Sequence, residues 1–205
     1  MTAPPLQHPR LLTVAEFAAL PEDNSVRYEL QEGVLVMSPR PVPNHQRCLR
    51  RLMRWLEDQL PHHLEVLPEV DVDLELVHPT KPGFVRAPDL VVVGRTAVER
   101  VDDEGGPLRA SDVALVVEIL SPNSRRMDTV IKHGEYADAG IPHYWILDPD
   151  ATITLTACHR AGEFGYADAV PVTGAFLTEI PFPVRLDLTA LLSPLPRHTP
   201  PSGGP

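Results

Sequence analysis

The sequence of 205 residues is 43% hydrophobic and 22% charged, which is ordinary for a globular protein and sufficient for one well-packed domain. Its net charge of −10 excludes the strongly basic balance with which many nucleic-acid-binding domains hold phosphates, although a local basic face stays compatible with it. The two cysteines lie far apart in sequence, and no apolar run has the length of a signal peptide or a membrane span. We therefore expect a reduced, cytoplasmic protein that does not enter a membrane.

The first predicted elements are a short helix and a β-hairpin. Thr13 and Glu16 have the spacing of a capping box and predict a helix over residues 14–20. Two short apolar runs then flank a turn that ends in Gly33. They predict a hairpin over residues 27–37, with this glycine at the position that needs a positive φ.

A long amphipathic helix is the clearest periodic signal. Asn44 is its predicted N-cap, and it is expected to run to about residue 60. Its apolar face consists of Leu49, Leu52, Met53, Leu56 and Leu60. His45 projects on this apolar side and is expected to point into the fold. The opposite face has no acid and carries Arg47, Arg50, Arg51 and Arg54. That face is either a candidate set of phosphate contacts or an ordinary solvated surface.

The rest of the sequence predicts a mixed β-sheet with a few helices around it. Alternating apolar and acidic residues over 66–76 predict one long antiparallel strand. Continuous apolar runs at 90–93 and 113–120 predict strands buried on both faces, joined by a surface loop that includes 102–106. The further elements are a helix over 127–139, a hairpin of 144–147 with 153–157, and a short helix over 188–192. The expected fold class is α/β or α+β.

These elements are assigned to one domain over residues 11–193. The chain contains 24 prolines, concentrated at its two ends and in loops. Residues 1–10 are predicted to be a flexible leader and residues 194–205 a disordered Pro-rich tail.

Three charged residues lie where a charge has to be explained. Asp89 opens the apolar run that follows Pro88, and Glu118 interrupts the most apolar strand of the chain. A carboxylate in a low-dielectric interior must be paired or bound to a metal. If the two strands are neighbours, Asp89 and Glu118 meet at one sheet edge, where two carboxylates with waters and phosphate oxygens suit Mg²⁺. Lys132 on the following helix can then assist the attack of water on a phosphodiester.

Each of these residues also has a plainer interpretation. Asp89 can be a turn or cap residue at the start of its strand. Glu118 can be satisfied by Lys132 as a structural ion pair without a metal. Lys132 on a polar helix is by default exposed to solvent.

An ordered run of short motifs covers roughly residues 11–158. The motifs are Tyr28-Glu29-Leu30 with Gly33, Met37-Ser38-Pro39, His45-Gln46, Pro88-Asp89, Glu118-Ile119-Leu120-Ser121-Pro122, Asp128 with Lys132 and Tyr136, and Gly140-Ile141-Pro142 followed by Tyr144-Trp145-Ile146. In this order they resemble the Uma2 family, which is regarded as a family of restriction endonucleases with the PD-(D/E)XK nuclease fold. The resemblance therefore implies a restriction-endonuclease-like mixed central sheet flanked by helices.

The resemblance also implies roles for the three charged residues. Asp89 matches the aspartate of the PD motif, and Glu118 matches the acidic residue of the next half-motif, both as metal ligands. The general pattern has a lysine two residues after this acid, whereas this sequence has Leu120 there. Lys132 on the next helix is the expected replacement.

Two further residues are implied as neighbours of the metal. Glu29 matches an acidic residue that approaches the metal directly or through water, and His45 orients a ligand or contacts the phosphate. Plainer roles stay open for both. Glu29 can be a hairpin residue paired with a basic neighbour, and His45 can be a core histidine.

The expected function is that of a Mg²⁺-dependent endonuclease that hydrolyses nucleic acid, with DNA as the expected substrate and Mn²⁺ as a substitute metal. A homodimer would supply the two sites needed to cut both strands together. The alternative is a non-catalytic module that kept the nuclease fold and binds nucleic acid or a protein partner. The net charge of −10 favours this module, whereas the retention of Asp89, Glu118 and Lys132 favours the enzyme.

Overall fold

The computed structural model describes residues 10–21, 27–37, 41–150, 152–162 and 165–192. The predicted leader apart from Arg10, and the predicted tail, lie outside the described residues. The helices are α1 (Val14–Ala18), α2 (Pro43–Glu57), α3 (Arg95–Glu104), α4 (His133–Asp138) and α5 (Leu188–Leu191), with a π-helical turn at Met127–Lys132. The strands are β1 (Tyr28–Gln31), β2 (Val34–Met37), β3 (Leu64–Pro68), β4 (Val72–Asp73), β5 (Val85–Arg86), β6 (Leu90–Gly94), β7 (Leu108–Arg109), β8 (Val113–Ile119), β9 (His143–Asp148), β10 (Thr154–Arg160), β11 (Tyr166–Asp168), β12 (Ala175–Thr178) and β13 (Val184–Asp187).

A six-stranded mixed sheet forms the centre of the fold, in the order β11-β10-β9-β8-β6-β3. The pair β8 and β9 is parallel, and the other pairs are antiparallel. The apolar residues of β8 alternate between a core under α2, α5 and β13 and a core under α3 and α4, which is why this strand is apolar throughout. The sheet with helices on both faces confirms the predicted fold class.

A second sheet has the strand order β2-β1-β5-β4-β7, and the chain passes directly from its strand β5 to strand β6 of the central sheet. β5 ends at Arg86 and β6 begins at Leu90, so Ala87, Pro88 and Asp89 make the crossing. The predicted hairpin is confirmed as the β1–β2 pair, with Gly33 at φ +78°. The crossing places Asp89 at the junction of the two sheets.

The predicted helices are present in the structure, but the predicted N-cap of the long helix is wrong. Thr13 and Glu16 form the predicted capping box of α1. α2 begins two residues earlier than predicted, because Val42 is its N-cap and Pro43 occupies its first helical position. Asn44 therefore lies inside the helix. None of the helices in the described part of the chain combines the length and apolar composition that a membrane crossing requires.

Two predictions about the middle of the chain are wrong. The single long strand over 66–76 is instead β3 and β4, which belong to different sheets. Glu69 between them has φ +56°, which turns the chain away from the ladder of β3. The predicted surface loop is largely the helix α3, whose Ala97, Val98 and Val101 pack against one of the cores.

The predicted helix over 127–139 begins as a π-helical turn and continues as α4. The wider turn buries both Asp128 and Lys132 on the side of the central sheet. The hydroxyl of Tyr144 donates to the backbone carbonyl of Asp128 at 2.9 Å, which satisfies an acceptor of this irregular turn. Single π-helical turns within helices are frequent at functional sites.

Candidate active site

Asp89 and Glu118 lie opposite each other on the central sheet. The antiparallel register pairs Leu90 with Val117, and continuing it by one residue places Asp89 across from Glu118. Directly opposed residues of an antiparallel pair project from the same face. The backbone N–H of Ile119 donates to Asp89 Oδ2 at 2.7 Å and fixes this carboxylate against β8. The structure thus brings the two predicted acids together.

Glu118 is only 3% exposed and is held through one of its oxygens. Its Oε1 accepts hydrogen bonds from Lys132 Nζ and from the hydroxyl of Tyr136, each at 2.8 Å. Burial raises the pKa of Glu118 and outweighs the opposing charge of Lys132, and the negative charges of Asp89 and Asp128 add to the rise. Since both bonds from described residues go to Oε1, Oε2 is available to a ligand.

Lys132 lies among carboxylates rather than in solvent. Its Nζ is 2.8 Å from Glu118 Oε1, 3.0 Å from Glu29 Oε1 and 3.8 Å from Asp128 Oδ1, and its side chain is 8% exposed. Burial alone would lower the pKa of Lys132, but these three carboxylates raise it above its usual value and keep the ammonium charged. The default expectation of an exposed lysine is therefore wrong. The contact between Lys132 and Glu118 is also the ion pair that a purely structural role for these residues predicts.

Glu29 on β1 connects the second sheet to this cluster. Its Oε1 contacts Lys132 and accepts from the backbone N–H of Ala87 at 3.2 Å, and its Oε2 accepts from Arg86 Nη1 at 3.0 Å. Arg86 is fully buried and also forms a bidentate pair with Glu135 at 2.6 and 2.7 Å. Burial raises the pKa of Glu29, but Lys132 and Arg86 lower it below its usual value. Glu29 is thus a buried, paired carboxylate.

His45 in the first turn of α2 holds Asp89 from the other side. Its Nε2 lies 2.9 Å from Asp89 Oδ2, and the residue is buried. Burial lowers the pKa of His45, but the hydrogen bond and charge of Asp89, together with the charges of Glu69 and Asp128, raise the pKa above its usual value. Nδ1 of His45 is buried and has no partner among the described residues. The imidazole therefore contacts the site instead of packing only against the core.

The cavity between these side chains is small and acidic. Its volume is about 70 Å³, and a single water needs roughly 10–15 Å³ by the same measure. Its described charged lining consists of Glu29, Glu69, Asp89, Glu118 and Asp128 against Arg27 and Lys132, with His45 beside them. Carboxylate and water oxygens in excess over cations are the donors that hard divalent ions prefer. The residues present therefore fit Mg²⁺ or Mn²⁺.

The arginines on the predicted face of α2 differ in their exposure. Arg51 is half-buried and donates to the backbone carbonyls of Ala190 and Leu191 at 2.6 and 2.8 Å. Nη1 of Arg51 thus caps the end of α5, so this side chain serves a structural contact that the other three arginines do not share. The exposed residues are Arg47, whose Nη1 donates to Asn44, together with Arg50 and Arg54.

Three buried partners of the site were not assigned a role from the sequence. Arg86 could have been found by the argument used for Glu118, because it is a single charged residue among apolar neighbours, shortly before Asp89. Asp128 lies four residues before Lys132, which is the spacing of two residues on one helical face. Tyr136 lies four residues after Lys132, but nothing in the sequence indicates that its hydroxyl reaches Glu118.

The family model of Uma2, described as “Putative restriction endonuclease”, matches residues 14–187. The chain belongs to the Uma2 family. A solved structure described as a “putative nuclease belonging to DUF820” from Anabaena variabilis ATCC 29413 matches with a TM-score of 0.66 and 19% sequence identity, covering 88% of this chain and 97% of that one. At this identity the second likeness supports the fold alone. None of the curated proteins matches the sequence.

Proposed function

We propose that this Uma2 protein is a divalent-metal-dependent endonuclease whose active site lies between Asp89 and Glu118. The observation that carries the proposal is the placement of these two buried carboxylates in one cavity, Asp89 directly before β6 and Glu118 on the neighbouring β8, with Lys132 Nζ 2.8 Å from Glu118. Residues 11–193 form the proposed catalytic domain. The phosphodiester bond of a nucleic acid is the proposed target.

Asp89 and Glu118 are the proposed metal ligands. His45 and the backbone of Ile119 both contact Asp89 Oδ2, which leaves Oδ1 for a cation. Glu118 correspondingly offers Oε2. When bound there, Mg²⁺ or Mn²⁺ would polarise the phosphodiester and lower the pKa of a coordinated water.

Lys132 and Asp128 are the proposed groups that handle charge and protons. The ammonium of Lys132 donates to the attacking water or to a phosphate oxygen, where negative charge develops. Burial raises the pKa of Asp128, only partly offset by Lys132 and Ser124, so this carboxylate accepts a proton more readily than an exposed aspartate. Glu29 holds Lys132 in place at 3.0 Å, and His45 orients Asp89.

The exposed side of α2 is the proposed phosphate contact surface. Arg47, Arg50 and Arg54 project from the helix whose first turn carries His45, and a helix rises about 1.5 Å per residue. A nucleic-acid strand with its scissile phosphate in the cavity can therefore run along these arginines. This local basic face offsets the net charge of −10 where the substrate would bind. DNA, a homodimer that cuts both strands, and a cytoplasmic location are parts of the same proposal.

The test is metal-dependent cleavage by the purified protein. Labelled duplex DNA, single-stranded DNA and RNA are incubated with Mg²⁺, with Mn²⁺ or with a chelator. We expect cleavage that requires metal and that is abolished by Asp89→Asn and by Glu118→Gln. Asp103→Asn, an exposed acid on α3, makes the same change of charge and should cut like wild type. Cleavage that survives both site substitutions, or that persists in chelator, overturns the proposal.

One observation favours a second candidate, a non-catalytic nuclease-fold module. Lys132 satisfies Glu118 and Glu29 without a metal, as a structural ion pair would. Calorimetric titration with Mg²⁺ and Mn²⁺ separates the two candidates. The enzyme predicts a binding isotherm at millimolar metal that Asp89→Asn removes, whereas the module predicts none.

A further inference from the structure

Three side chains of different chemistry converge on the face of the central sheet that α4 covers. Cys158 on β10 and Asp168 on β11 are direct cross-strand partners, so their side chains project from the same face. His133, the first residue of α4, reaches the same point, and its Nε2 lies 2.8 Å from Asp168 Oδ1. One ligand atom of each residue, the thiol sulfur, a ring nitrogen and a carboxylate oxygen, all lie within 4.8 Å of one another.

Neighbouring rings hold the imidazole of His133 in this orientation. It makes edge contacts with Tyr166, with ring centres 5.2 Å apart, and with Tyr144, with ring centres 6.1 Å apart. The hydroxyl of Tyr166 is itself fixed by donating to the backbone carbonyl of Ile141 at 2.8 Å. The donor atoms are therefore positioned before any ligand arrives, which lowers the entropic cost of binding.

The three donors run from the core to the surface. Cys158 is buried, whereas the side chains of His133 and Asp168 are 21% and 52% exposed. A cation bound at this point has three protein ligands on the inner side, and water can take a fourth position from the solvent side. Three protein ligands with one open position is a common arrangement for tetrahedral Zn²⁺.

The donor chemistry selects a different class of ion from that of the acidic cavity. Sulfur and imidazole nitrogen favour Zn²⁺ and related borderline or soft cations, whereas Mg²⁺ prefers oxygen ligands only. We propose that His133, Cys158 and Asp168 form a separate binding site for a thiophilic divalent cation of the Zn²⁺ class. The site ties α4 to the edge strands β10 and β11. Because His133 follows Lys132 directly in the chain, the cation also fixes the start of α4, next to the π-helical turn that carries this lysine.

Titration of the reduced, metal-free protein with Co²⁺ tests the site. Cobalt bound to a thiolate gives a charge-transfer absorption in the near ultraviolet, which oxygen and nitrogen ligands alone do not give. We expect this absorption to saturate at one cobalt per chain, to be displaced by Zn²⁺ and to withstand excess Mg²⁺. Cys158→Ser should abolish it, whereas Cys48→Ser, at the other buried cysteine, should retain it.

Two further variants keep the test decisive if the buried cysteine cannot be changed without loss of folding. Asp168→Asn alters a half-exposed side chain and should weaken cobalt binding by roughly 10–100-fold or more, because it removes a ligand charge. Asp89→Asn should leave the absorption unchanged, so this result is independent of the proposed nuclease site. A wild-type protein without thiolate absorption, or absorption that persists in both Cys158→Ser and Asp168→Asn, overturns the proposal. In that event the His133–Asp168 contact is an ion pair that joins α4 to β11.

Discussion

Replacing Lys132 with methionine separates a structural ion pair from a metal site. The ammonium lies 2.8 Å from Glu118 and 3.0 Å from Glu29, and it is almost completely buried. Methionine has a similar shape and no charge. The substitution therefore removes the cation and leaves the carboxylates in the same low-dielectric position.

The expected loss of stability follows from that burial. Removing one partner of a buried ion pair costs about 3–5 kcal/mol of unfolding free energy. For a domain of this size 1 kcal/mol corresponds to roughly 2–4 °C, so the melting temperature in chelator should fall by on the order of 10 °C. Burial already raises the pKa of Glu118, and the variant loses the opposing effect of Lys132. A carboxyl whose pKa is raised on folding stabilises the protein at low pH, and this contribution is lost as the pH rises. The difference in unfolding free energy between wild type and Lys132→Met should therefore shrink as the pH falls.

Thermal unfolding with increasing Mg²⁺ or Mn²⁺ is the assay. Metal at about 100 times its Kd adds about 2.7 kcal/mol to the stability of the folded state. We expect a larger rise in melting temperature for Lys132→Met than for wild type, because the carboxylates no longer share their charge with the ammonium. Lys81→Met changes the other lysine of the chain, which is exposed, and should behave like wild type.

The reasoning is refuted if neither metal changes the melting temperature of either protein. Carboxylates that bind no cation even after the lysine is removed cannot be the ligands of a metal-dependent nuclease. The structural ion pair would then account for Glu118, Glu29 and Lys132.

Three further predictions follow from contacts of the same structure. Tyr136→Phe removes a hydrogen-bond donor to the buried Glu118 and should cost about 1–3 kcal/mol in urea unfolding, and an unchanged midpoint would contradict the hydrogen bond. Arg51→Ala leaves two carbonyls without their donor and should destabilise the protein by about 1–3 kcal/mol, whereas Arg54→Ala should stay within about 0.5 kcal/mol. For DNA binding we expect the larger effect from Arg54→Ala, which should lower affinity and reduce the dependence of log affinity on log salt concentration by about one unit of slope. Equal affinities and salt slopes for Arg51→Ala and Arg54→Ala would contradict this expectation. Thr13→Ala removes the capping box of α1 and should cost about 1 kcal/mol in thermal unfolding, with no effect expected on cleavage.

Periodicity predicted the elements whose packing is regular and failed where the chain changes sheet. The leucine spacing of α2 and the apolar run of β8 both reflect burial that repeats along one element. The alternation of apolar and acidic residues over 66–76 fits one strand or two equally well, because such a pattern indicates only which side chains are buried and not where a strand ends. Glu69, between β3 and β4, has a left-handed backbone conformation, and no glycine or asparagine at this position indicates such a turn in the sequence.

The candidate site was predictable to the extent that burying a charge is costly. Glu118 stood out because its neighbours in sequence are apolar, and the structure pairs it as that argument requires. A helical projection placed Arg51 on one face with Arg47, Arg50 and Arg54, but it could not show that Arg51 donates to the end of α5. Its partners at the end of α5 lie 139 and 140 residues away in sequence. Contacts of this kind follow from tertiary packing alone.

Because the candidate site combines residues from both sheets, it can form only after a long part of the chain has been synthesised. Glu29 comes from the second sheet, Glu118 from the central sheet, and Lys132 from the helix that follows them. A ribosome must release more than a hundred residues beyond the first of these groups before all three can meet. A nascent or half-folded copy therefore lacks the assembled site, and the proposed cleavage would begin only after Lys132 has been released and folded.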